Sequence, residues 1–229
     1  MDAALIEARG LSKSFGPTPV LRGVNLSVSA GGGALIVGSN GAGKSTLVRI
    51  LAGLSAPTAG SALLFGTPSR TLESSLRSRV GLVTHQSFLY PNLTARENLA
   101  FYADLYGRKR DLSEISGWLE RAGLARAADE RVRTFSRGME QRLTLARALL
   151  NQPSVLLMDE PFAALDTDGA AMAGSLLREA RTRGCALLLT AHQEVGVAGM
   201  AFDCYEIVRG RLLATAEAEL ERIRPLRTG

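Results

Sequence analysis

Eight consecutive residues, Gly38-Ser39-Asn40-Gly41-Ala42-Gly43-Lys44-Ser45, satisfy the pattern G-x-x-x-x-G-K-[ST]. The chemistry of that pattern is anion binding. Glycines let the backbone turn tightly enough for successive N–H groups to converge on one concavity, and the start of a following helix adds partial positive charge. In such a loop the Lys44 ammonium reaches the outer phosphates of a nucleotide and the Ser45 hydroxyl ligates Mg2+, with Thr46 continuing the binding turn into the helix. The flanks supply the context this needs: Ala34–Val37 reads as a buried strand and Ser45–Leu51 as a helix. The expected ligand is a nucleoside triphosphate.

A second group of residues completes a reaction. The apolar run 154–158 ends in Asp159-Glu160. In a phosphate-loop protein a carboxylate at a strand end holds Mg2+, usually through water, which makes Asp159 a metal candidate beside Ser45. Glu160, one residue further on, is placed to polarise the water that attacks the outer phosphate. Alone, either carboxylate reads as a helix cap or a solvated loop charge. Together, at the end of an unbroken apolar strand, they read as a hydrolytic pair.

The elements that must hold these groups are those of a parallel α/β sheet. Apolar segments at 34–37, 80–84, 154–159, 185–190 and 204–208 are strand-sized and alternate with helical spacing. Before them, Leu5–Ala8, Val20-Leu21 and Val24–Val28 read as short strands, punctuated by Gly16-Pro17-Thr18-Pro19. Between about 90 and 150 no strand is expected; helical spacing runs over 97–106, 112–122 and 140–150. A charged helix is expected over Glu217–Arg224. The chain reads as one domain over 1–229, an α/β core with its β portion at 1–89 and 152–229 and a helical insertion at 90–151.

Composition adds bounds. The 229 residues are 46% hydrophobic and 21% charged, with a net charge of +5, ordinary for a globular protein. Arg108-Lys109-Arg110 is the only short basic cluster, so no nucleic acid partner is expected. No apolar run approaches the roughly 18 residues of a membrane span, and no secretory signal is expected at the N-terminus. Cys185 and Cys204 are expected to be buried thiols rather than a disulfide or a metal cluster.

Four more features follow in order: Gln86 after the strand 80–84, Phe135-Ser136-Arg137-Gly138-Met139-Glu140-Gln141 before a long helix, Ala164-Leu165-Asp166 after the carboxylates, and His192 at the end of 185–190. Over essentially the whole chain this order resembles the nucleotide-binding domain of ABC ATPases. The resemblance implies a phosphate-loop NTPase core of ABC type, with an N-terminal antiparallel β subdomain and an inserted α-helical subdomain. ATP is then the nucleotide. It further implies that Gln86 senses Mg2+ and the γ-phosphate, that Asp166 lies in the D-loop, and that His192 bonds the γ-phosphate and the attacking water beside Glu160. Ser136 and Gly138 would contact ATP held by a second subunit in a head-to-tail, ATP-dependent homodimer. Phe15 matches the aromatic that stacks on adenine, since only a ring face is required. Together these make Lys44, Glu160 and His192 the catalytic set. His85 has no role in the family and reads as an ordinary loop histidine.

There are departures from the family pattern. Arg137 and Met139 stand in place of Gly and Gln of the usual Leu-Ser-Gly-Gly-Gln, Ala164 replaces a common Ser, and Gln193 replaces an acidic residue. None removes a catalytic group, so an active ATPase is expected. Ribosome-acting and DNA-acting members carry a second ATPase domain or long coiled coils, neither of which is present, and Glu160 argues against a non-hydrolysing switch. The expectation is the energising subunit of a transporter, with separate transmembrane permease subunits, lying in the cytoplasm against the inner face of the cell membrane. Five of the twelve aromatics, Phe88, Tyr90, Phe101, Tyr102 and Tyr106, fall where such subunits receive a helix of the permease. The segments 87–94, 101–107 and 135–139 look most like the haem-exporter subunit of cytochrome c maturation; drug, polysaccharide and lipid exporters share much of the pattern. No direct cargo binding is expected of this chain.

Overall fold

The computed structural model describes residues 3–107, 111–192 and 200–215. The basic cluster at 108–110, Gln193 and the tail helix at 217–224 lie outside the described residues. Strands β1 (Ala4–Phe15) and β2 (Thr18–Ser29) form one long hairpin. This corrects the expectation of three short strands. The breaks read from polar and glycine residues are register shifts within continuous strands, because one face of the hairpin is solvated and tolerates them. After β3 (Gly33–Val37) and α1 (Lys44–Leu51), β4 (Ala59–Leu64) and the two-residue β5 (Thr67–Pro68) complete a four-stranded antiparallel sheet of order β2-β1-β4-β5. The β4–β5 hairpin was not legible as strand.

A short α2 (Ser74–Arg77) leads to β6 (Val80–Val83), and the chain then turns helical: α3 (Ala95–Leu105), α4 (Leu112–Arg121) and α5 (Arg137–Leu149). Strand β7 (Val155–Asp159), helix α6 (Thr167–Thr182) and strands β8 (Ala186–Ala191), β9 (Asp203–Val208) and β10 (Arg211–Ala214) follow. The second sheet has the order β10-β9-β3-β8-β7-β6, parallel except for the β9–β10 hairpin.

The period of two along the central strands sorts their side chains onto two cores. Leu35, Leu156, Met158, Leu187 and Leu189 pack toward the helices α3–α6. Ala34, Ile36, Val155, Leu157, Ala186 and Leu188 pack toward α1 and the antiparallel sheet. Both faces are covered, which is why these strands read as unbroken apolar runs. Among the described residues no helix is long and apolar enough to cross a membrane. In a parallel sheet the loops at the carboxyl ends of the strands gather at one edge, so those following β3, β6, β7 and β8 converge there.

Helix α3 starts two residues earlier than its spacing predicted, because Thr94 and Glu97 form a reciprocal capping box. One turn in, Asn98 is fully buried. Its carbonyl accepts from the Tyr90 N–H at 2.8 Å, and its amide donates to the Tyr90, Leu93 and Thr94 carbonyls. Asn98 therefore fixes the segment that joins β6 to the helices. Replacing it with Ala removes these bonds from a fully buried position; we expect Asn98→Ala to lose about 2–3 kcal/mol in urea denaturation. A loss below about 0.5 kcal/mol contradicts this role.

Candidate active site

The phosphate loop closes on a glycine that the fold demands. Gly43 precedes α1 at φ 110°, and a Cβ there would lie 3.0 Å from both the Leu21 and Val20 side chains. No side chain caps α1 and no acidic residue lies in its first turn. By contrast, Thr94, Asp111, Ser136 and Asp166 each cap the helix that follows them. The first-turn N–H groups of α1 are thus left for an external anion. Lys44 is 5% exposed, and its ammonium donates to the Gly38 carbonyl at 2.8 Å and the Ser39 carbonyl at 3.3 Å. The loop is wrapped around its own lysine.

Sheet register places the carboxylates. Asp159 pairs with Thr190 across β7 and β8, and the Thr190 hydroxyl donates to Asp159 Oδ1 at 2.7 Å. The Thr190 hydroxyl oxygen in turn accepts from the Glu160 N–H at 3.0 Å. Glu160 sits at φ 52°, in the left-handed region, which costs a non-glycine residue on the order of 1–3 kcal/mol and is held only where surrounding contacts fix it. That turn carries its side chain to the phosphate loop: Glu160 Oε1 lies 3.4 Å from Lys44 Nζ and 3.4 Å from His192 Nε2. One carboxylate oxygen is therefore shared by a buried ammonium and an imidazole. A cavity of about 490 Å³ brings together Asn40, Lys44, Ser45, Thr46, Glu160 and His192, with His85 on its wall.

Among the described residues no three His, Cys, Asp or Glu side chains are grouped to hold a metal on their own. Protein sites hold Mg2+ by one or two carboxylates together with substrate phosphates and water, and Asp159 and Ser45 supply a carboxylate and a hydroxyl of that kind. Asp159 Oδ2 is the oxygen that Thr190 leaves open, and Ser45 opens the helix next to Lys44.

The remaining candidates lie elsewhere. Phe15 ends β1 with 56% exposure, the Lys13 ammonium 4.9 Å above its ring. Gln86 is exposed, and the cavity walls are formed by its neighbours. Ser136 caps α5, accepting from the Met139 N–H at 3.2 Å, and is solvent-exposed. Gly138 packs against the loop after β7, where a Cβ would come within 3.2 Å of the Ala164 carbonyl. Asp166 caps α6 through the Gly169 N–H at 2.8 Å. Within one chain Ser136 and Gly138 do not reach the phosphate-loop cavity. Gln141, two positions after the replaced glutamine, donates to the Pro161 carbonyl at 2.9 Å and ties the start of α5 to the carboxylate loop.

Two residues escaped the sequence reading. Thr190 is a hydroxyl at the end of a leucine run, and only the strand register shows that it meets Asp159. His85, an exposed loop histidine, has its Nε2 3.6 Å from Asp159 Oδ2. Nothing in its own sequence neighbourhood marks that approach.

Thr190→Val removes a buried hydroxyl that bonds both carboxylate residues while keeping the side-chain shape. We expect a loss of about 1–3 kcal/mol in denaturant unfolding, together with slower turnover, because Glu160 is no longer held in its strained turn. Unchanged stability contradicts the placement of that hydroxyl.

Comparison with known proteins agrees with this geometry. Residues 21–163 match the family described as ABC transporter. The chain is 40% identical over 194 residues to the Nod factor export ATP-binding protein I of Paraburkholderia xenovorans (strain LB400), covering 84% of this chain and 64% of that protein. It thus spans a little under two thirds of the length of that relative. Among solved structures, the ATP-binding subunit of an ABC transporter superposes with a TM-score of 0.83 at 25% identity, covering 96% of this chain and all of that one. A dimeric ATP-binding cassette in a post-hydrolysis state, bound to ADP and Pi, superposes with a TM-score of 0.81 at 27% identity, covering 90% of this chain and 96% of its own. In this chain the phosphate loop follows β3 and the paired carboxylates end β7, with β8 between the two strands, and the chain belongs to the ABC transporter family as an ATP-binding domain.

Proposed function

We propose that the chain hydrolyses ATP to drive export through separate membrane-spanning subunits. The observation that carries this is the Glu160 carboxylate, poised between Lys44 and His192 at the mouth of the phosphate loop. In this reading the α1 amides and Lys44 hold the β- and γ-phosphates, and Phe15 offers its exposed ring face to adenine. Asp159 and Ser45, with Gln86, would hold Mg2+, which supplies positive charge against the phosphate oxygens. Glu160 takes a proton from water as its oxygen bonds to the γ-phosphorus. The bond from that phosphorus to the β–γ bridging oxygen breaks, and ADP leaves with the electron pair. His192 steadies the same water and the γ-phosphate.

Ser136 and Gly138, kept from the phosphate loop of their own chain, are free to cover the nucleotide of a second copy. ATP then belongs to the interface, and its γ-phosphate favours the closed pair over the open one. The dimeric ATP-binding cassette that superposes on this chain supports the arrangement. Three of the five clustered aromatics, Phe88, Tyr90 and Phe101, are exposed, and they offer an apolar surface to a helix of a permease at the inner face of the cell membrane. The haem-specific form of the export reading gains no support from the relative reported above, which is named for Nod factor export. We therefore favour the alternative, another exporter whose cargo is selected by the permease.

Glu160→Gln should retain nucleotide yet hydrolyse it about 10²–10⁴-fold more slowly, the size of a general-base contribution; near-normal phosphate release contradicts the role. In light scattering the same variant should be dimeric with ATP and Mg2+ and monomeric with ADP. Adding Ser136→Arg should abolish that dimer, and a dimer that survives it defeats the composite site. Phe15→Ala should weaken ATP binding by about 1 kcal/mol and Phe15→Tyr should not. Equal titrations for the Ala variant remove Phe15 from the site.

A further inference from the structure

The chain has two histidines, and both line the phosphate-loop cavity. His192 belongs to the catalytic set. His85 does not, yet its imidazole Nε2 is set 3.6 Å from Asp159 Oδ2. That separation is too long for a direct hydrogen bond, so His85 is the near neighbour of that oxygen without being bonded to it. The ring itself is 66% exposed, whereas the Asp159 side chain is 3% exposed, so no packing force drives His85 inward. Its approach is set by the loop: the Thr84 hydroxyl donates to the Gln86 carbonyl at 2.9 Å and accepts from the Gln86 N–H at 3.2 Å, clasping the backbone around His85. The other oxygen of Asp159 is already occupied by Thr190. The oxygen facing His85 is the one available to a divalent cation.

We propose that His85 is a positioning residue of the cation site, its imidazole bonding a water carried by the cation that Asp159 holds. This rests on the nucleotide reading above. The physical reason is economy of ligands. A Mg2+ ion keeps several waters and takes few protein oxygens, and those waters need partners of their own. Groups in that outer position orient the inner ligands, and their loss typically weakens metal binding 10–100-fold. His85, like Glu160, lines both the phosphate-loop cavity and the neighbouring cavity that faces α5, where Asp159, Arg137 and Glu140 lie.

The test uses the full chain, Mn2+ as the probe cation and the non-hydrolysable imido analogue of ATP. In protein labelled with 15N only at histidine, electron–nuclear double resonance of bound Mn2+ should show a 15N coupling in the wild type that persists in His192→Ala and disappears in His85→Gln. Mn2+ affinity for the nucleotide complex should fall about tenfold in His85→Ala and be partly restored in His85→Gln, which keeps a hydrogen-bonding group. Affinity for the metal-free analogue should stay unchanged. Identical spectra and identical Mn2+ affinities in the His85 variants overturn the proposal. So does an equal loss of metal-free binding, which would place His85 on the phosphates instead. Failure of the wild type to bind the analogue at all overturns the nucleotide reading, and this inference with it.

Discussion

The structure is organised around one buried charge. Taking an ammonium out of water costs several kcal/mol unless it is paired and hydrogen-bonded, and Lys44 is 5% exposed. Its loop therefore curls so that the Gly38 and Ser39 carbonyls face inward to meet it, and Glu160 is drawn to 3.4 Å from the opposite side. Carbonyls turned toward the lysine leave the N–H side of the loop, with the uncapped start of α1, facing out. The anion site follows from satisfying the lysine.

Glu160 bears the matching constraint. A residue continuing β7 as strand would point to one face of the sheet; the left-handed turn at φ 52° instead delivers the Glu160 carboxylate to Lys44 and His192. Thr190 holds the turn from the adjacent strand. Strain of this kind persists because a rigid sheet with both faces buried surrounds it. The two central cores thus do more than stabilise the fold: they keep three loops at fixed separations.

A second buried cation links this edge to the surface. Arg147 of α5 is 4% exposed and donates to the Ser87 carbonyl at 3.0 Å, just beyond Gln86. Its guanidinium lies 5.8 Å from the Phe88 ring and 5.4 Å from that of Tyr102, and the Tyr102 hydroxyl donates to the Phe88 carbonyl. Burial pushes the Arg147 guanidinium below its ordinary value, and it pushes the Tyr102 phenol up. Neither change removes the arginine's charge at neutral pH. The helix that begins at Ser136 is in this way fastened to the aromatic patch through the loop after β6, a continuous physical connection from phosphate chemistry to an exposed apolar face.

Much of this was legible in the sequence, for reasons that differ by element. The central strands were readable because both their faces are buried, and the phosphate loop because its glycines and lysine are required by backbone geometry. The β1–β2 hairpin was broken up in the reading, since its outer face admits polar and glycine residues at register shifts. The approach of Thr190 and His85 to Asp159 could not be found from local pattern, because it comes from strand pairing and loop convergence. The proposal that Lys44 sits in the loop to meet phosphate is tested by calorimetric titration of ATP with Mg2+ into the wild type and Lys44→Ala. Loss of a charge-assisted contact predicts binding weakened by about 1.5–3 kcal/mol, or roughly 10- to 100-fold, with the variant still folded. Equal affinity in the two proteins would contradict it.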